Sequence, residues 1–388
     1  MIPTVILAVW LLGLLALGLV SAGGYLLYRW YELAHRYDPT TGREVFNPDL
    51  GLNGETALLA AGLLLLLWTL LGRMIVGAVL RMKAHGHEAP RHDRAPAMRR
   101  VRTEDGTDLH VEETGPNDAP IVVLCHGWGA DSTEWHYHRH DLGRTCRLVM
   151  WDLPGLGRSA EPPDKDYSME HLARCLDAVL RDVGQPAYVV GHSIGGMIAL
   201  THAKLFPDAL GNRVLGLGLV HTTYMNPVRT TKKARINTAL EKPVLVPLLH
   251  LTIALSPLVR GLLWLSYLNG TAHLQNLRSG FGGTQTWGEV DFVARYNLKV
   301  KPAVIARGMF GMLRYEARDV LPHLNVPTLV VAGDRDPTCV PEASRYMAQV
   351  APGAYLRELG PAKHYGLIEH HEAFSKALLE LAAPGRSA

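Results

Sequence analysis

Cysteine and charge are both scarce in this chain. Only four cysteines occur in 388 residues, namely Cys125, Cys146, Cys175 and Cys339. They lie far apart with no C-x-x-C pair, which excludes a dense disulfide framework and argues against thiolate metal ligands. The pattern suits a reducing compartment in which each thiol serves as a small buried hydrophobe. Charged residues make up 19% against 48% apolar, which excludes a disordered chain. A net charge of +3 is too small to point to nucleic acid. Neither a dinucleotide fingerprint nor a glycine-rich phosphate loop is present, and no cofactor is expected.

Charge is absent altogether between residues 2 and 28. About 20 apolar residues suffice to cross a bilayer, so this run is long enough with some tilt. Trp10, Tyr25, Tyr28, Trp30 and Tyr31 supply aromatics, four of them clustered where an interfacial belt would lie. A second run, residues 57–80, is broken only by Arg73, close enough to the end to reach headgroups by snorkelling. Residues 1–80 therefore read as a transmembrane hairpin with spans at about 2–28 and 57–80. A cleaved signal peptide is the competing reading of the first run, with Val20-Ser21-Ala22 as its cleavage site. Against it, no basic segment precedes the run, which is longer than a usual signal core.

Charge also orients the hairpin. The connecting loop, residues 29–55, carries three Arg against five acids, whereas residues 81–102 carry seven Lys/Arg against two acids. Lys and Arg beside a span mark the cytoplasmic side, so the loop is expected outside and everything after residue 80 in the cytoplasm. Residues 81–100, with Pro90 and Pro96 and little apolar periodicity, are expected to form a basic linker lying against anionic headgroups. A nucleic-acid arm is disfavoured because no aromatic residue interleaves with the charges.

From about residue 101 to residue 388 the texture becomes that of a soluble α/β domain. Residues 101–104 and 109–113 flank Asp105-Gly106, a hairpin signal. Short apolar runs at 121–125, 147–151, 187–190, 214–220 and 328–332 predict strands buried on both faces of a parallel sheet. Helical stretches at 171–183 and 194–206 lie among them, the second stopped by Pro207. Such alternation predicts a mostly parallel sheet with helices on both faces.

The sharpest local signal is Gly191-His192-Ser193-Ile194-Gly195, which matches G-x-S-x-G. It follows the strand-like Tyr188-Val189-Val190 and opens a helical pattern. A serine on so tight a strand-to-helix turn sits in a strained conformation, and its neighbours must be small for strand and helix to approach. Its hydroxyl then projects above the sheet at a helix N-terminus, where developing negative charge is favoured.

Other motifs fall in order around this turn. Leu124-Cys125-His126-Gly127-Trp128-Gly129 follows one predicted strand and Trp151-Asp152-Leu153-Pro154-Gly155-Leu156-Gly157-Arg158-Ser159 the next. Val331-Ala332-Gly333-Asp334-Arg335-Asp336-Pro337 follows a late strand, and His364 lies near the end. From about residue 101 onward the chain resembles an α/β-hydrolase-fold serine hydrolase of the esterase and monoacylglycerol-lipase-like branch. Serine at the elbow separates it from the haloalkane dehalogenase and epoxide hydrolase branches, where the resemblance would require Asp.

The resemblance implies site residues. A serine hydroxyl needs a base, and His364 follows the last short strand, 355–359, where the fold places its histidine. Lys363 stands where the family usually has glycine, and His370 and His371 are competitors at the start of the closing helix. The imidazole needs a carboxylate to fix its tautomer. The family spacing, glycine followed by an acid three residues on, selects Asp336, leaving Asp334 to shape the turn and Asp152 as a structural turn acid. The oxyanion donors are expected to be the backbone N–H groups of Ile194 and Trp128, with His126 a structural partner of that loop.

Two further stretches have more than one reading. His136-Tyr137-His138-Arg139-His140-Asp141 is similar to a binuclear zinc motif, but that motif ends Asp-His and this stretch ends His-Asp. On a helix only His136 and His140 would share a face, so no metal is expected. Residues of about 222–318 occupy the place where the fold inserts a lid, and from 243 to 277 the only formal charge is Arg260. A third span there would separate Ser193 from Asp336 and His364, and Pro247 and Pro257 interrupt a straight helix. Residues 244–268 are instead expected at the membrane interface with Trp264 and Tyr267 near the headgroups, a lid packed wholly onto the sheet being the alternative.

The expected protein is an integral membrane enzyme with a cytoplasmic catalytic domain, cleaving carboxylic esters, in particular of lipids, through Ser193, His364 and Asp336. Its partners would be a lipid or acyl-ester substrate and the membrane, with no nucleic acid. Three alternatives stay open: a thioesterase or acyltransferase, a cofactor-free haloperoxidase-like enzyme, and a non-catalytic membrane scaffold.

Overall fold

The computed structural model describes residues 3–47, 55–81 and 89–382. It begins with a helical hairpin. Helix α1 (Pro3–Ala34) leads through a small antiparallel pair, β1 (His35–Asp38) and β2 (Arg43–Phe46), to α2 (Glu55–Arg81). The stretches Ile6–Ala34 and Thr56–Leu80 are each long and apolar enough to cross a membrane. Glycines let the two backbones touch, as a Cβ on Gly62 would lie 3.0 Å from the Gly23 carbonyl oxygen.

An eight-stranded sheet follows, formed by β3 (Ala97–Arg102), β4 (Asp108–Thr114), β5 (Ile121–Cys125), β6 (Arg147–Trp151), β7 (Ala187–His192), β8 (Val214–Val220), β9 (Thr328–Gly333) and β10 (Ala354–Leu359). The spatial order is β10-β9-β8-β7-β5-β6-β4-β3. Pairing is parallel from β10 to β6 and antiparallel for β4 with β6 and β3 with β4. Both faces are covered. On one side α4 (Met169–Val183) and α5 (Ile194–Leu205) bury Leu176, Val179 and Ile198 against the strands. On the other, α3 (His136–Leu142) packs Leu142 with Phe374 and Leu378 of the C-terminal helix. Each such side chain stabilises the fold by about 1.5–3 kcal/mol. The four cysteines are free and buried.

Between β8 and β9 stand six lid helices, α6 (Ala234–Leu240), α7 (Val246–Ala254), α8 (Ser256–Leu268), α9 (Thr271–Gly280), α10 (Trp287–Lys299) and α11 (Pro302–Leu313). The chain turns by 100° between Ala254 and Ser256, with Pro257 at the start of α8. No straight helix runs through 244–268. After β9 come α12 (Pro341–Val350), α13 (Gly366–Glu369) and α14 (His371–Ala382).

Two expectations are corrected here. The expected linker is in large part domain: residues 82–88 lie outside the described residues, but Arg94 pairs with Glu112, Asp131 and Asp152 at only 14% exposure. With three carboxylates around it, this guanidinium is occupied within the domain and does not face headgroups. The second concerns the lid. Tyr267 and Leu262 are 5% and 3% exposed because α8 packs against the hairpin. A Cβ on Gly13 of α1 would lie 2.7 Å from Leu262 Cβ. Arg73 turns inward rather than toward headgroups: it donates to the Tyr267 hydroxyl at 3.2 Å, and that hydroxyl donates to Asp291 at 3.0 Å. Trp264 does remain exposed, together with Leu255 and Leu258.

Candidate active site

Strand β7 delivers Ser193 to a turn in which its φ is +53° and ψ −116°. Two glycines permit this geometry. A Cβ on Gly191 would meet the Gly195 carbonyl carbon at 2.1 Å, and one on Gly195 would meet the Cys125 carbonyl oxygen at 2.3 Å. The turn is pinned to the neighbouring strand end, as Ser193 N–H donates to Val220 O at 2.9 Å and Thr222 Oγ1 donates to Ser193 O at 2.6 Å. Helix α5 starts at the next residue, Ile194.

The loop after β10 brings His364 over this turn. Its Nε2 lies 3.1 Å from Ser193 Oγ and its Nδ1 2.9 Å from Asp336 Oδ2. Asp336 sits in the loop after β9, 2% exposed, and its Oδ1 accepts from the Thr338 and Cys339 N–H groups at 2.7 and 3.1 Å. Burial alone would raise this carboxyl, but the His364 imidazole, with His221 and the Thr338 N–H behind it, holds it below its ordinary value. The competitors lie elsewhere. Asp334 accepts from Ala362 N–H at 2.8 Å and so staples the histidine loop. His370 contacts Pro361 O, and His371 stacks on Tyr137 beside Asp141. Lys363 ties the same loop to α9 by donating to Arg278 O at 2.7 Å.

Trp128 lies across from the serine, its Nε1 donating to Ile305 O at 3.1 Å. Gly127, Trp128, Ser193 and His364 line one cavity of about 200 Å³. His126 accepts from Leu153 N–H at Nε2 and donates from Nδ1 to Gly127 O, holding the loop as a structural residue would. Asp152 accepts from the Ser132 and Arg158 N–H groups.

Sequence reasoning missed a second layer. His192, the residue before the serine, pairs with Glu134 at 3.0 Å and donates from Nε2 to the His364 carbonyl at 3.0 Å. Glu134 also accepts from Gly127 N–H at 2.8 Å. One buried ion pair thus joins the Trp128 loop, the elbow and the histidine loop. Burial opposes both charges, yet the pairing holds Glu134 below and His192 above their ordinary values. His221 lies 3.8 Å from Asp336, where burial pushes its imidazole down to about 3. The histidine-rich stretch divides as a helix dictates. His138 points inward to Leu367 O, while His136 and His140 share a side with Asp93, their ligand atoms within 4.8 Å of one another. Arg139 already binds that carboxylate at 2.8 Å.

This sheet order, the serine turn and the lid between β8 and β9 define a hydrolase fold. The chain belongs to the alpha/beta hydrolase family, whose profile matches residues 122–377. It is similar to epoxide hydrolase 3 of Xenopus tropicalis, 25% identical over 270 residues that cover 66% of this chain and 71% of the relative. Among solved structures it is similar to an esterase from Exiguobacterium antarcticum, with TM-score 0.59 and 21% identity over 72% of this chain and 97% of that one. It is also similar to a bacterial membrane phospholipase A, with TM-score 0.58 and 20% identity over 86% of this chain and 96% of that one. At these identities the structural likeness carries the fold alone.

Proposed function

We propose that this protein is a membrane-anchored serine hydrolase that cleaves carboxylic esters of lipids, with its catalytic domain in the cytoplasm. The observation that carries the reading is the chain of hydrogen bonds from Ser193 through His364 to Asp336, opening into a cavity with mostly apolar walls. In this mechanism His364 Nε2 takes the Ser193 proton as Oγ attacks the ester carbonyl. Asp336 keeps the proton on Nδ1 and stabilises the imidazolium. The N–H groups of Ile194 and Trp128 receive the negative charge that develops on the carbonyl oxygen. The tetrahedral intermediate expels the alcohol, which leaves with the proton from His364. Water, deprotonated by the same imidazole, then releases the fatty acid and restores the serine. A carboxylate nucleophile, which epoxide opening in this family would require, is absent from position 193.

A fluorophosphonate probe on the intact protein, followed by assays with glycerides, acyl-CoA and peroxide with halide, tests this. Ser193→Ala should abolish labelling and lower ester turnover by a factor on the order of 10⁴ or more. Asp336→Asn should approach that loss, whereas Asp334→Asn should cost far less, since Asp334 contacts the Ala362 N–H and Arg335 and not His364. Turnover of acyl-CoA or peroxide in place of glycerides would move the reading to a thioesterase or a haloperoxidase-like enzyme. Absence of labelling in the wild type would move it to a scaffold.

A further inference from the structure

The cavity that holds Ser193 is not closed by the lid alone. Ile6, Val9 and Trp10 of α1 stand in its wall beside Leu249, Val259 and Leu263 of the lid. Positions 6, 9, 10 and 13 recur at helical spacing and so share one side of α1. Ile6 and Trp10 are 6% and 7% exposed, whereas Leu11 and Leu15 on the opposite side are 57% and 58% exposed. The indole is fixed in place, since Trp10 Nε1 donates to Thr252 Oγ1 at 3.0 Å and that hydroxyl donates to Leu248 O at 2.7 Å. Another part of the cavity is lined by Gln275, Asn276 and Asn297. There Asn276 Nδ2 is buried without a hydrogen-bond partner, a donor suited to oxygens and not to hydrocarbon.

We propose that the membrane anchor is itself part of the substrate site: the acyl chain of the ester lies against α1, and Ile6, Val9 and Trp10 set the chain length the site accepts. The oxygen-bearing alcohol portion lies toward Asn276. This rests on the ester-hydrolase reading above and deepens it, because the substrate class becomes a single-chain acyl ester measured by an anchor helix. Each methylene moved from water onto such a wall favours the transition state by roughly fourfold. A ring that fills the space of two methylenes therefore shifts chain preference by roughly tenfold or more.

The test uses the full chain in detergent or nanodiscs and a series of p-nitrophenyl esters from butyrate to palmitate, scored as ratios of kcat/KM, which do not depend on the fraction of folded protein. Val9→Trp should lower the laurate-to-butyrate ratio at least about tenfold. Trp10→Ala should move the optimum toward longer chains. Leu15→Trp, on the outward side of α1, should leave the ratios as in wild type. Profiles of Val9→Trp and Trp10→Ala that superimpose on wild type, or an equal loss at every chain length, would overturn the role of α1 while leaving ester hydrolysis intact. No hydrolysis of any ester by the wild type would remove the parent reading and this one with it.

Discussion

His364 and His192 stand with their rings 5.0 Å apart and have different carboxylate partners. Both border the cavity, but His192 is paired with Glu134 at 1% exposure whereas His364 reaches Ser193 and Asp336. The sign of the His192–Glu134 contribution follows from its two ends. Glu134 lies below its ordinary value of 4.5, so its share of stability is complete above that pH and is lost as pH falls through the folded value. His192 lies above its ordinary 6.5, so its share is complete below that pH and is lost as pH rises through the folded value. Glu134→Gln should therefore lower thermal stability most between about pH 4.5 and 6.5, by up to about 3–5 kcal/mol, and less on the alkaline side. A gap that widens as pH rises above 6.5 in unfolding curves would mean that His192 is not held charged by Glu134. Ser193 and its two glycines were legible because the turn is local and the motif contiguous. Asp336 and His364 came from family order. The Glu134–His192 pair could not be read, because nothing local links residues 58 apart in sequence.

Strands announced themselves at the scale of the element. Each run expected at 121–125, 147–151 and 214–220 is a strand with those bounds, because a strand buried on both faces must be apolar throughout. The lid was harder. Its apolar composition is the same whether a helix meets lipid, the sheet or another helix, so composition could not tell that α8 divides its sides between α1 and the outside. The division now names the residues to change. Leu255 and Leu258 are 38% and 46% exposed, at the corner between α7 and α8. Replacing both by Asp should reduce hydrolysis of bilayer lipid by at least about tenfold while sparing a short soluble ester, since charge at the interface opposes insertion. Equal loss on both substrates would show that this corner serves stability and does not meet the membrane. Leu262, buried against Gly13, would unpack α1 instead.

The whole molecule joins an apolar hairpin to a domain with both faces of its sheet covered, and the charge asymmetry on which the proposed orientation rests lies in the segments flanking α2. Thr41→Cys should react with an impermeant thiol reagent in intact cells, and Lys376→Cys should not. The native cysteines are buried, which keeps the background low. The reverse pattern would put the catalytic domain outside. One more consequence concerns the order in which the chain is made. Trp10 meets Thr252, 242 residues later. At about 5–20 residues per second of synthesis, α1 emerges roughly ten to fifty seconds before its partner on the lid. During that interval the side of α1 that will line the cavity has no lid to cover it. The lid therefore docks onto a helix made long before it, and the loop that carries His364 completes the cavity later still.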